Sequence, residues 1–104
     1  MANPDTVKYE AVYSKKGDSV FISHLDVMTL FRRAIRRVSL PFVLTKGFTP
    51  RVRISMPEAL KLGKESDNEK MAFWLEEERE PGVLMDEVNS QLPEGIRIRG
   101  IKRI

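Results

Sequence analysis

In Glu69-Lys70-Met71-Ala72-Phe73-Trp74-Leu75-Glu76-Glu77 the apolar Met71, Phe73 and Leu75 occupy alternate positions, with Lys70, Ala72, Trp74 and Glu76 between them. That is the period of a strand with one buried face. Upstream, Arg51-Val52-Arg53-Ile54-Ser55-Met56 alternates in the same way, and Phe42 to Thr45 is a short extended run. Gly47 and Pro50 separate the two runs, so together they predict one broken strand. Before them, Ser23 followed by Asp26 three residues later suits a helix start. At 100° per residue Val27, Met28, Phe31, Ala34, Ile35 and Val38 gather on one side of that helix, with Asp26, Thr29, Arg32, Arg33, Arg36 and Arg37 on the other, and Pro41 ends it. Val7 to Tyr13 alternates as a first strand, and Lys15-Lys16-Gly17-Asp18 turns the chain. Downstream, Pro81 opens a second helix with Leu84, Met85, Val88 and Leu92 as its apolar stripe. Ile96 to Ile104 forms a last, basic strand, in which Ile101 falls out of phase after Gly100 as a bulge requires. The order strand, helix, strand, strand, helix, strand predicts an α+β ferredoxin-like βαββαβ sandwich. Its antiparallel sheet carries both helices on one face, with strands one and three central.

The 104 residues amount to one domain, spanning 1–104, with 41% hydrophobic and 32% charged residues. That balance is too apolar for disorder and too polar for a membrane span. Cysteine is absent and histidine occurs once, which excludes disulfides, thiolate nucleophiles and cysteine-held metals. The residues ask for no metal and no cofactor. Met1-Ala2-Asn3-Pro4-Asp5 has no basic region followed by an apolar run, so the expected location is the cytoplasm, away from any membrane. The net charge of +3 hides a division: 11 basic and 5 acidic side chains in residues 1–63, 3 and 10 in 64–94, and 4 and none in 95–104. If the first and last segments meet, they make a basic surface.

At Phe21-Ile22-Ser23-His24-Leu25-Asp26, Arg32-Arg33-Ala34-Ile35-Arg36-Arg37, Leu40-Pro41, Lys46-Gly47-Phe48-Thr49-Pro50, Arg53-Ile54-Ser55, Leu62-Gly63 and Glu65-Ser66 the sequence resembles a bacterial family of radical-SAM-associated proteins of unknown function. The likeness extends more weakly to Leu92-Pro93-Glu94-Gly95-Ile96. It implies an accessory role beside a radical-SAM enzyme. The family's usual Gln-Gly-Phe-Asn-Pro-His-Pro loop is altered here: Lys46, Thr49, Arg51 and Val52 replace Gln, Asn, His and the second Pro, and positive charge is added. Family domains are longer, which implies that this chain is a half-length relative or the N-terminal part of a longer domain. A remoter, architectural likeness is to the ferredoxin-like endoribonucleases that process CRISPR RNA.

Five groups of residues are candidates for function. His24, just inside the helix start, is the one candidate catalytic group, a neutral base for a ribose 2′-hydroxyl, and packing or capping is the competing reading. Arg32, Arg33, Arg36 and Arg37 stack at i, i+4 and are relieved either by RNA or by the acidic run Glu76 to Glu80. Arg51, Arg53, Arg97, Arg99 and Arg103 alternate with core residues and so belong to the open sheet face, where cations track phosphates. Trp74 shares that phase, as a stacking platform for bases or a plug for a partner. A second half of the domain or a homodimer mate covering this face is the competing reading. Lys46 to Arg51 offers amides, a hydroxyl and two cations for phosphate, or is only a turn. The expectation is a non-catalytic substrate-recognition module that binds RNA through a basic sheet face. Its alternatives are an endoribonuclease-like enzyme and a protein-docking module.

Overall fold

The computed structural model describes residues 6–58 and 62–104. The N-terminal segment read for a signal, and the middle of the connection between Pro57 and Gly63, lie outside them. The elements run β1 (Val7–Lys15), a 3-10 turn (Gly17–Phe21), α1 (His24–Arg37), β2 (Ile54–Ser55), β3 (Ser66–Leu75), α2 (Pro81–Asn89) and β4 (Ile96–Arg103). The sheet is antiparallel, with strand order β2-β3-β1-β4, so β1 and β3 are central.

Alternation in β1 sends Val7, Tyr9, Ala11 and Tyr13 to one face, where their partners across β3 and β4 are Leu75, Phe73, Met71 and Ile98. Val27, Phe31, Ala34 and Ile35 of α1 and Leu84 and Val88 of α2 join the same cluster, so both helices lie on this side. Tyr9 stacks on Phe73 with centroids 5.5 Å apart, and Tyr13 meets Phe31 edge-on at 5.1 Å. A buried tyrosine hydroxyl needs partners. Tyr9 Oη both donates to the Arg79 carbonyl and accepts from the Arg79 amide, each at 2.8 Å, which anchors the connection from β3 to α2.

Both helices begin as their first residues require. Ser23 Oγ accepts from the Asp26 amide at 3.2 Å, a side-chain cap worth about 1 kcal/mol. Glu80, which the sequence reading passed over, caps α2 by accepting from the Gly82 and Val83 amides, with Pro81 in the first turn.

Several boundaries differ from the sequence reading. The expected broken strand is regular only at Ile54–Ser55; Phe42 bridges to Leu75 and Leu44 to Val52, so the chain touches β3, folds out as a hairpin and then rejoins β3. Pro41, Pro50 and Pro57 have no N–H to extend the ladder. Strand β3 runs Ser66–Leu75 rather than 69–77, because the successive charges Glu76 and Glu77 leave the sheet. Lys15 belongs to β1 rather than to the following turn, and it is buried at 2% exposure. In β4 the bulge falls one residue early: Val12 faces Gly100 and Tyr13 faces Ile98, leaving Arg99 as the extra residue.

Candidate nucleic-acid interface

The second face of the sheet carries the even positions of β1 and β3 and has no helix over it. Lys8 pairs with Trp74, Glu10 with Ala72 and Val12 with Lys70. Trp74 is half-buried on this open face and not beneath the helices. The Arg53 guanidinium lies over the indole at 3.9 Å from the ring centroid, and Lys8 Nζ lies 5.4 Å from it. An arginine stacked on an indole is held by the ring's negative face, with the rest of its charge left for another ligand. Among the described residues neither Arg53 nor Lys8 forms an ion pair.

Arg51 and Arg53 share one side of the hairpin, since Val52 between them is buried. The hairpin is closed by Thr45 N–H to the Arg51 carbonyl and Arg53 N–H to the Val43 carbonyl, both 2.7 Å. Its tip holds exposed Lys46, Gly47, Phe48, Thr49 and Pro50. Gly47 sits at φ 131°, a backbone region that glycine alone enters freely. Trp74, Arg53, Arg51 and Lys46 therefore follow one another outward from the sheet.

Arg97 and Arg99 lie elsewhere. Arg97 pairs with Ser14, six residues along β1 from the Lys8–Trp74 pair, or about 20 Å. Its guanidinium turns around the sheet edge and donates to the Asn89 carbonyl at 2.9 Å and the Leu92 carbonyl at 3.3 Å, at the C-terminal end of α2. The Asn89 carbonyl also accepts from the Leu92 N–H at 3.2 Å, so the guanidinium adds to the turn that closes α2. Arg99, in the bulge, is near Asp67; the Lys16 ammonium holds the Asp67 carboxyl below its usual range against the opposing desolvation, and the charge of Arg99 adds to this. Arg103 binds Glu78 at 2.7 Å.

The α1 arginines belong to the helix layer, on the other side of the molecule from Trp74. Arg33, Arg36 and Arg37 are exposed, and Arg32 Nε donates to the Val52 carbonyl at 3.2 Å, bracing the hairpin. The acidic run does not neutralise them: Glu77 pairs with Arg79 and Glu78 with Arg103. His24 is the first residue of α1, and no hydrogen bond or ion pair joins its imidazole to the described residues.

The sequence reading missed two cations. Lys8 was legible from its phase opposite Tyr9. Lys15 was not, because two consecutive lysines before a glycine read as a turn. Lys15 Nζ donates to the Ile22 carbonyl, where the 3-10 turn passes to α1. Burial lowers its pKa, with the charge of Glu69 opposing, while burial and then Glu69 push Tyr13 up to about 12. Among the described residues no group of three His, Cys, Asp or Glu side chains could hold a metal, and no helix is long and apolar enough to cross a membrane.

Fold and site together define an α+β domain whose helices cover one face of a four-stranded antiparallel sheet, with cations and one indole on the other. The chain matches the family described as "Uncharacterized protein conserved in bacteria (DUF2344)" over residues 8–104, and it belongs to that family. No curated protein and no solved structure matches it.

Proposed function

We propose that this chain is a non-catalytic RNA-binding module of ferredoxin-like architecture that recognises substrate for a radical-SAM enzyme in the cytoplasm. The architecture is supported by the strand order, which counted from the β4 edge runs four, one, three, two. The enzyme partner rests on the sequence resemblance through Ser23-His24-Leu25-Asp26 and Lys46-Gly47-Phe48. RNA as ligand rests on one observation: Arg53 stacks on Trp74 on an open sheet face, and no carboxylate claims it. Stacking surfaces beside unpaired cations are what unpaired bases and their phosphates require.

Binding to a fluorescent RNA measured across a salt series tests this. The expected result is an affinity that falls steeply with salt, with a slope reduced by about 1 for Arg53→Gln. Salt-insensitive binding, or none, overturns the reading. A second reading, protein docking, is favoured by the exposed Phe21, at the end of the 3-10 turn, and Leu25, in the first turn of α1; Gly63 N–H donates to the Val20 carbonyl beside them and brings exposed Leu62 to the same corner. That corner is apolar where the open sheet face is basic, so triple replacement by Ser should leave RNA affinity unchanged.

A further inference from the structure

Phe48 has a relative exposure of 109%, and a side chain so placed contributes nothing to the core. On this exposed hairpin the ring stands between the cations Lys46 and Arg51, the combination of aromatic face and positive charge that stacking on a base beside its phosphates uses. The hairpin beneath it is well held: its backbone bonds at 2.7 Å are joined by Arg51 N–H to Thr45 Oγ1 at 3.1 Å and by the Arg32 brace on Val52. The tip is therefore presented on a rigid stem. Lys46 and Arg51 flank it, and among the described residues neither forms an ion pair.

We propose that this hairpin extends the Trp74–Arg53 site into a track for single-stranded RNA, with Phe48 as a second base-stacking residue and Arg51 and Lys46 taking the intervening phosphates. The inference rests on the RNA reading above and deepens it by naming the strandedness. In an A-form duplex the bases are paired and stacked, so an aromatic tip finds no free base face there. A protein ligand fits less well, because the tip is flanked by the cations Lys46 and Arg51, and exposed Leu44 lies on the opposite side of the hairpin from Arg51. Direction along the track is set by charge. Beyond Trp74 in the chain stands exposed Glu76, which repels phosphate, whereas the path along the hairpin meets only cations.

The test compares an oligouridine of about a dozen nucleotides with a blunt RNA duplex of matching charge. Phe48→Ala should weaken single-strand binding roughly ten-fold or more, leave its salt slope unchanged and leave duplex binding unaltered. Phe48→Trp should restore the affinity. Because Phe48 touches no core residue, the variants keep the parent's melting temperature. Single-strand binding that Phe48→Ala leaves intact while Trp74→Ala weakens it would overturn the hairpin track and spare the sheet-face site. Equal losses on both RNAs would overturn the single-strand assignment. A parent chain that binds neither RNA would overturn the underlying reading itself.

Discussion

Arg53 and Arg97 occupy the same kind of position, an outward residue between two inward ones in an alternating segment, yet the two edges of the sheet use them differently. At the β4 edge, the chain leaving α2 presents the Asn89 and Leu92 carbonyls, and Arg97 is drawn over them. Asn89 completes that edge: its side chain accepts from the Ile98 amide at 2.7 Å and donates to the Ile98 carbonyl at 3.0 Å, as a neighbouring strand would. An edge closed in this way resists pairing with other chains. At the β2 edge Arg53 settles on an indole whose attraction leaves its charge free. What an arginine does on a sheet is set by which unsatisfied groups lie within its reach.

The hardest blow to this contrast comes from Asn89→Leu. It strips partners from two backbone groups of β4, a cost of roughly 2–6 kcal/mol at 1–3 per group. At about 4–8 °C of Tm per kcal/mol for a chain of this size, thermal melting should show a large drop while RNA affinity per folded molecule stays constant. If Asn89→Leu instead left the melting temperature alone, the closed edge would be incidental. Next in size, Trp74→Ala should cost roughly 1–3 kcal/mol of RNA binding, with little change in melting because the indole is half-exposed.

The central strand β1, which carries the β4 edge, has a buried end that titrates in alkali. Tyr13 stays protonated to about 12 in the folded chain, against 10 when unfolded, so its contribution is present below pH 10 and fades as pH rises toward 12. The loss is about 1.4 kcal/mol by pH 11. Lys15 works in the other sense: its folded pKa lies below 10.5, so stability rises with pH up to that value. Above pH 10.5 tyrosine governs, and denaturant titrations should show the decline in the parent and not in Tyr13→Phe. The smallest effect belongs to Arg97→Ala, which should reduce stability by about 1 kcal/mol and leave the salt slope of RNA binding untouched. A slope change equal to that of Arg53→Gln would erase the distinction between the edges.

Period-two and period-3.6 patterns made the central strands, both helices and the helix-side core legible, because burial against a single layer enforces the pattern residue by residue. Trp74's outward phase was legible for the same reason. Where the chain satisfies its polar groups by long-range contacts, the pattern is silent. Nothing local reports that Arg97 reaches back to α2, that Asn89 stands in for a strand, or that Lys15 is inside. The second strand was misjudged because alternation is shared by a hairpin arm and a sheet strand, and only the partner distinguishes them. The α1 arginines read as a patch of their own on the polar side of a helix, and the sheet separates them from Arg53 and Trp74.

The double hydrogen bond from Tyr9 to the backbone of Arg79 gives the acidic strap after β3 an independence of its own. Its course is pinned through backbone groups, by that phenol at one end and by the Glu76 N–H on the Pro41 carbonyl at 2.6 Å at the other. Mutation of the Glu76 and Glu77 carboxylates can therefore recolour the strap without bending the ribbon that carries them.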